Sequence, residues 1–144
     1  MNFEELKSMI KNDLKIDETA LDRESANTPQ LHNKYLTFYM DEKLRLKKLK
    51  SEQSILRKNK WLYYTGRMSK EELDQLGWEP FELNILKTEA DELIEADSDW
   101  IKLDEKVAFQ QEKVDYLENI VKIINNRQWQ IRAIIDWIKF TQGV

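Results

Sequence analysis

The sequence has few of the residues that break helices, and no cysteine. Its 144 residues include three Gly and two Pro. So few breakers argue against all-β and α/β folds, which need many turns. The absence of Cys excludes disulfides, a thiol nucleophile and thiolate-bound zinc or iron–sulfur sites. Charged residues make up 35% of the chain and hydrophobic residues 41%, so the composition favours an all-α fold built from long helices.

Residues for catalysis and for membrane insertion are also scarce. The single histidine, His32, lacks a nucleophile motif beside it, and Walker A and Glu-x-x-His motifs are absent. Residues 89–99 contain six acids and no base, which is more typical of a solvated or partner-binding face than of a metal site. No apolar run approaches the roughly 20 residues of a spanning helix. We therefore expect a soluble protein that is not exported, is not an enzyme, and uses no cofactor, metal or membrane.

The spacing of apolar residues predicts the first helices. Apolar side chains at positions 3, 6, 10 and 14 predict a short amphipathic helix. Residues 17–27 are polar and suggest a loop or a weak helical turn. Thr28 and Pro29 then predict the start of a long helix, with an N-cap hydroxyl followed by Pro at the first helical position. This helix should continue to about Tyr64 and end at Gly66.

The long helix carries a heptad-like seam with three polar members. Lys60 is one of them, and a buried ammonium is costly, so either the seam opens there or the amine extends towards an anion. A second, weaker apolar strip formed by Leu44, Ile55 and Leu62 predicts a helix that is covered on two sides. The seam consists of Tyr35, Tyr39, Glu42, Leu46, Leu49, Gln53, Leu56, Lys60 and Tyr63.

The second half of the chain also predicts helices. A capping box at Ser69 predicts a short helical turn that ends near Leu76. From residue 81 the pattern is helical to near the C-terminus, and Asp97 and Asp99 either cap a new helix or lie inside a continuous one.

Two apolar seams run side by side on the last helix, and one hairpin partner cannot cover both. We infer a homo-oligomer; the alternative is a thick core in a monomeric three- or four-helix bundle. The first seam consists of Leu103, Val107, Gln110, Val114, Leu117, Val121, Ile124, Gln128, Ile131, Ile135 and Ile138, and the second of Phe109, Tyr116, Ile120, Ile123, Ile134 and Trp137.

Positive charge is concentrated in one segment. Residues 34–70 hold 11 Lys and Arg against three acids, whereas the rest of the chain holds 12 basic and 24 acidic residues. Within this segment, residues 57–67 combine basic and aromatic side chains, which neutralise phosphates and stack on unpaired bases, respectively. This combination predicts sequence-independent binding of a single strand; the alternative is that the aromatic rings pack internally and the basic groups are solvated. The candidate binding residues are Arg57, Lys58, Lys60, Tyr63, Tyr64 and Arg67, with Trp61 as a further stacking candidate.

The first half of the chain contains two distinctive motifs: Ile16-Asp17-x-Thr19-x-Leu21-x-x-Glu24-Ser25-Ala26-Asn27 with Leu31 and Lys34-Tyr35-Leu36, and Lys58-x-Lys60-x-x-Tyr63-Tyr64-Thr65-Gly66-Arg67. These two stretches resemble the UvsY family of recombination mediators from T4-like bacteriophages.

The resemblance implies a protein without catalytic activity that binds single-stranded DNA. It also implies contacts with the phage single-strand-binding protein and help in loading a UvsX-like recombinase onto covered strands. The family's DNA-binding pair falls on Lys58 and Lys60, where Lys replaces the family's Arg at the second position and lacks its bidentate fork. A ring-like homo-oligomer, expected to be a heptamer, would form through the C-terminal helices in the cytoplasm of an infected bacterium.

The resemblance and the charge pattern together divide the chain by function. Residues 1–80 are expected to bind single-stranded DNA, and residues 81–144 to form the oligomer. A helical coiled-coil adaptor without nucleic-acid binding is the main alternative. A helical enzyme with an acidic metal site, using Glu92 or Glu95, is a third.

Overall fold

A computed structural model describes residues 1–143, and this part of the chain is helical with no β-strand. The predicted all-α fold is therefore confirmed. No helix in the described residues is long and apolar enough to cross a membrane. The elements are α1 (Phe3–Asp13), α2 (Leu21–Tyr64), α3 (Lys70–Leu76), a 3₁₀ turn (Lys87–Glu89), α4 (Ala90–Glu95), α5 (Ser98–Asn125) and α6 (Arg127–Thr141).

Helix α2 begins earlier than predicted. It starts at Leu21, so the prediction of a start at Thr28 was wrong. Thr28 lies inside the helix, is buried, and donates its hydroxyl to the Glu24 carbonyl at 3.1 Å. Its hydroxyl therefore bonds back into the preceding turn, as Thr does within helices, and does not cap an N-terminus.

Pro29 lies inside α2 without ending it. Proline has no N–H, so the Ser25 carbonyl lacks its usual partner four residues later. The side chain of Gln128 takes this place, with Nε2 donating to the Ser25 carbonyl at 3.1 Å. The Ser25 hydroxyl in turn donates to Oε1 of Gln128 at 2.8 Å. Both bonds connect α2 to α6 at the position of the proline.

The chain forms two compact units. The first comprises residues 1–43 together with the chain from residue 112 onward. In this unit, the hydroxyl of the buried Tyr35 donates to Asp13 at 2.6 Å, and Arg127 pairs with Glu24 and donates to the Leu14 carbonyl. Its hydrophobic core consists of Leu6, Ile10, Tyr35, Leu117, Ile120 and Ile124.

The second unit comprises residues 44–111 and differs from prediction at residues 81–96. We predicted one helix over residues 81–96. Residues 81–86 are not helical, and the rest of this stretch forms only the 3₁₀ turn and the short α4. Leu83 and Leu86 are 70% and 69% exposed, so these two apolar side chains add no burial that would stabilise a helix here. The buried apolar residues of the unit are Leu46, Leu73, Ala90 and Ile94.

One further boundary settles what the sequence left open, and a second shows that the prediction of a single last helix was wrong. Asp97 caps a new helix, because its side chain accepts from the N–H groups of Asp99 and Trp100 at 2.9 and 3.1 Å. The helical chain is interrupted again at Asn126, between α5 and α6. The C-terminal region after residue 97 is therefore two helices.

The predicted seam of α2 is buried or half-buried along its whole length. Its polar members are paired: Glu42 with Lys113 at 3.4 Å, and Gln53 with Asp104 at 2.9 Å. In contrast, Leu44 and Ile55 of the second strip are 66% and 62% exposed. The division into a DNA-binding region over 1–80 and an oligomerisation region over 81–144 is a matter of function and stays a prediction.

Candidate nucleic-acid interface

The predicted binding residues lie on the last two turns of α2 and in the turn after it. Gly66 ends the helix in the left-handed region, with φ of 70°. The N–H of Arg67 donates to the Leu62 carbonyl at 2.9 Å, and the N–H of Gly66 donates to the Tyr63 carbonyl at 3.2 Å. These two bonds form a Schellman-type C-cap, as the Thr65-Gly66 pair predicts.

Lys60 is buried and paired inside the second unit. The residue is 4% exposed, and its amine lies 2.9 Å from Asp99 and 3.0 Å from Asp97. The same amine lies 3.9 Å from the ring centroid of Trp78. The seam therefore stays closed at Lys60, and the anion that its ammonium needs is supplied by the protein's own carboxylates.

Asp97 is the centre of this buried network. Besides Lys60, it accepts a 2.6 Å hydrogen bond from the Tyr64 hydroxyl. Burial alone would raise the pKa of Asp97, but hydrogen bonds from Tyr64, the Trp100 N–H and Lys60 outweigh it, so the pKa lies below its usual value. Burial and the bond to Asp97 raise the pKa of Tyr64. Asp97 is thus held ionised as both a helix cap and the partner of Lys60.

Tyr63 and Tyr64 are engaged in an aromatic cluster. The Tyr63 hydroxyl donates to the Glu79 carbonyl at 2.6 Å, and its ring lies 5.3 Å from Trp78 between centroids. Phe81 lies 5.8 Å from the ring of Tyr63 and 5.0 Å from that of Tyr64. The two tyrosines thereby fix the segment around residues 78–81 against the end of α2.

Arg57 is also paired, although less deeply. Its Nη2 lies 3.0 Å from Asp91, and its guanidinium carbon lies 5.4 Å from the ring centroid of Trp100. Both partners of the ion pair keep large exposed fractions, 42% for Arg57 and 64% for Asp91. Such an exposed pair contributes little stability, so an external phosphate can compete for Arg57.

Lys58 and Arg67 are the exposed cations of the cluster. Within residues 1–143, Lys58 forms no ion pair. The Arg67 guanidinium carbon lies 5.0 Å from the ring centroid of Trp61, which is half-buried. These three side chains place positive charge and an aromatic ring within reach of solvent, which is the combination that suits phosphates and unpaired bases.

The predicted residues therefore fall into two groups. Lys60, Tyr63 and Tyr64 form an internal network, whereas Lys58 and Arg67 face solvent with Arg57 at intermediate exposure. The prediction missed Asp97, Asp99 and Trp78 as their partners. A signal was present, since a lysine in a buried seam needs an anion and residues 89–99 are the acid-rich stretch. In the described part of the chain, no three His, Asp or Glu side chains lie close enough to hold a metal ion.

Comparisons with known proteins agree over almost the whole chain. Residues 9–144 match the family model described as "Recombination, repair and ssDNA binding protein UvsY". The recombination protein uvsY of Enterobacteria phage T4 is 27% identical over 143 residues, which is 99% of each chain. Two crystal structures of the bacteriophage T4 recombination mediator protein UvsY superpose with a TM-score of 0.84 each. One is 25% identical and covers 97% of this chain and 99% of its own; the other is 26% identical and covers 99% of both. The chain therefore belongs to the UvsY family of recombination, repair and single-stranded-DNA-binding proteins.

Proposed function

We propose that this protein is a recombination mediator. It binds single-stranded DNA without sequence preference and helps load a UvsX-like, RecA-like recombinase onto strands covered by the phage single-strand-binding protein. Family membership supports this function. The observation that carries it at the residue level is the exposed position of Lys58 and Arg67 beside Trp61, with no carboxylate paired to Lys58 in the described chain.

The six predicted residues take different roles in this proposal. Lys58 and Arg67 contact phosphates directly, and Arg57 contacts one by exchanging Asp91 for it. Lys60, Tyr63 and Tyr64 act indirectly, because their polar groups are bonded to the protein itself. They support the shape of the helix end on which the contacting residues lie.

Each subunit offers few phosphate contacts, so we further propose that subunits act together in a ring-like homo-oligomer, a heptamer by family resemblance. Exposed aromatic residues on α6 suit such an assembly: Trp129, Trp137 and Phe140 are 73%, 65% and 77% exposed in the single chain. A ring presents several weak sites to one strand, and linked sites raise the overall affinity. The protein would act without catalysis in the cytoplasm of the infected bacterium.

Fluorescence anisotropy with a labelled oligo-dT strand and a matched duplex tests this function. We expect the wild type to prefer the single strand and Lys58→Ala/Arg67→Ala to bind it at least about tenfold more weakly, with less salt dependence. Lys102→Ala/Lys106→Ala is the matched control, because it removes two exposed charges from α5. An intact oligomer that binds neither probe would contradict the proposal and favour a helical adaptor.

A further inference from the structure

A row of exposed side chains follows one face of α2 within the second unit. Its members are separated by steps of three or four residues, which is the spacing of neighbours on a helix surface. They are exposed except for Trp61, which is half-buried. We name this row the lysine strip; it consists of Lys47, Lys50, Ser54, Lys58 and Trp61.

The lysine strip is next to the buried seam on the same helix. Leu46, Leu49, Gln53 and Lys60 of the seam each precede a member of the strip by one residue. One residue turns an α-helix by about 100°. The strip therefore lies on the flank of α2 beside the packed face, where its lysines are exposed and Trp61 is half-buried, and the burial of Lys60 fixes the orientation of Lys58 and Trp61.

Charge on the strip is uncompensated. Lys47, Lys50 and Lys58 form no ion pair with any residue from 1 to 143. Asp91 and Asp97 form ion pairs with other residues, Arg57 and Lys60. Between residues 44 and 64 the sequence contains a single acid, Glu52, which lies on the far side of the helix from the strip. The strip thus presents three lysines that form no ion pair, on a face of α2 to which the helix itself contributes no carboxylate.

The strip also has the shape that a sugar–phosphate backbone requires. Ser54 is small and neutral, and its hydroxyl donates to the Lys50 carbonyl at 3.2 Å. Its side chain therefore stays close to the helix and leaves the surface between Lys50 and Lys58 open. From Lys47 to Trp61 the helix rises about 21 Å. At its far end, Trp61 with Arg67 over its ring forms a platform on which an unpaired base can stack.

We propose that the single strand runs along the lysine strip, with phosphates on Lys47, Lys50 and Lys58 and a base stacked at Trp61, and that Lys60 does not touch it. This inference rests on the proposed DNA-binding function and adds the path of the strand. It moves the binding surface from the Lys58/Lys60 pair to a face that extends about three turns towards the N-terminus of α2.

The slope of log affinity against log salt tests the path, because it counts the phosphates that are neutralised. The probe is a short oligo-dT, and the proteins are wild type, Lys47→Gln/Lys50→Gln and the control Lys102→Gln/Lys106→Gln. All four lysines are exposed, so circular dichroism and oligomer mass are expected to stay unchanged. The strip variant should lose about 0.7 of slope for each lysine removed per bound subunit, and the control should keep the wild-type slope.

Three results would overturn the path. Wild-type binding with an unchanged slope in the strip variant would leave the proposed function in place and refute the path. If the slope of log affinity against log salt fell equally in the strip and control variants, the strand would be attracted to any basic surface of the protein. If the wild type does not bind the strand, the proposed function fails, and the path fails with it.

Discussion

At the scale of single residues, Lys58 and Lys60 show how far two neighbouring cations can differ. Residues two apart on an α-helix point about 200° apart, so one lysine is exposed while the other is buried among Asp97, Asp99 and Trp78. The seam pattern predicted where Lys60 points. It could not predict which carboxylates meet it, because they lie nearly 40 positions later and after a stretch whose conformation the sequence did not indicate.

Replacing Lys60 tests its internal role. Lys60→Met removes the cation but keeps the apolar stem, and leaves Asp97 buried without its ionic partner. Breaking a buried pair in this way costs about 3 kcal/mol or more of unfolding free energy, measured by urea denaturation. Lys58→Met, on the exposed face, should change it by less than about 0.5 kcal/mol. Equal effects of the two variants would contradict the buried network.

Asp97 predicts a dependence of stability on pH. Its pKa is lowered in the folded state, so the unfolded chain binds the proton more tightly and stability falls as the pH falls. The contribution of Asp97 to stability is complete above the pKa of its carboxyl in the unfolded chain, about 3.9. It is lost as the pH falls from there through the lower pKa of the folded state. Asp97→Asn should therefore be less stable near neutrality and lose less on acidification. Thermal melts across this range that run parallel for both proteins would refute the assignment.

At the scale of elements, apolar periodicity predicted which faces are buried better than where helices begin and end. The first seams of α2 and α5 are buried or half-buried as predicted, because burial of one stripe is what stabilises a helix, whereas Phe109 and Ile123 of the second seam are exposed. The start of α2 was not predicted correctly, since Thr28 and Pro29 form a local start signal that a long-range contact overrides. That contact, Gln128 with Ser25, lies over 100 positions away in sequence.

A double-mutant cycle tests how α2 tolerates its proline. Pro29→Ala restores the N–H for Ser25 and should raise the unfolding free energy by about 1 to 2 kcal/mol. Gln128→Ala should cost about 1 kcal/mol in the wild type, and clearly less in the Pro29→Ala background, where the Ser25 carbonyl has a main-chain partner. Strict additivity in urea denaturation would show that Gln128 does not compensate for the proline.

At the scale of the whole molecule, the sequence motifs identified the family, while the proposed assembly depends on surfaces that a single chain leaves exposed. Trp137 and Phe140 stack at 5.9 Å between centroids on α6 and are largely exposed. Trp137→Asp/Phe140→Asp should reduce the oligomer mass in analytical ultracentrifugation. Loss of linked sites should then weaken binding of a long strand about a hundredfold or more. An unchanged mass would place the interface elsewhere.

Protection of individual lysines by DNA tests the central claim most directly. Each amine is labelled with an acylating reagent in the free protein and with saturating oligo-dT, and the modified sites are quantified by mass spectrometry. We predict that Lys47, Lys50 and Lys58 react in the free protein and are protected by the strand, and that Lys60 is unreactive in both states. A reactive Lys60 that the strand protects, or a strip whose labelling the strand does not change, would contradict the account.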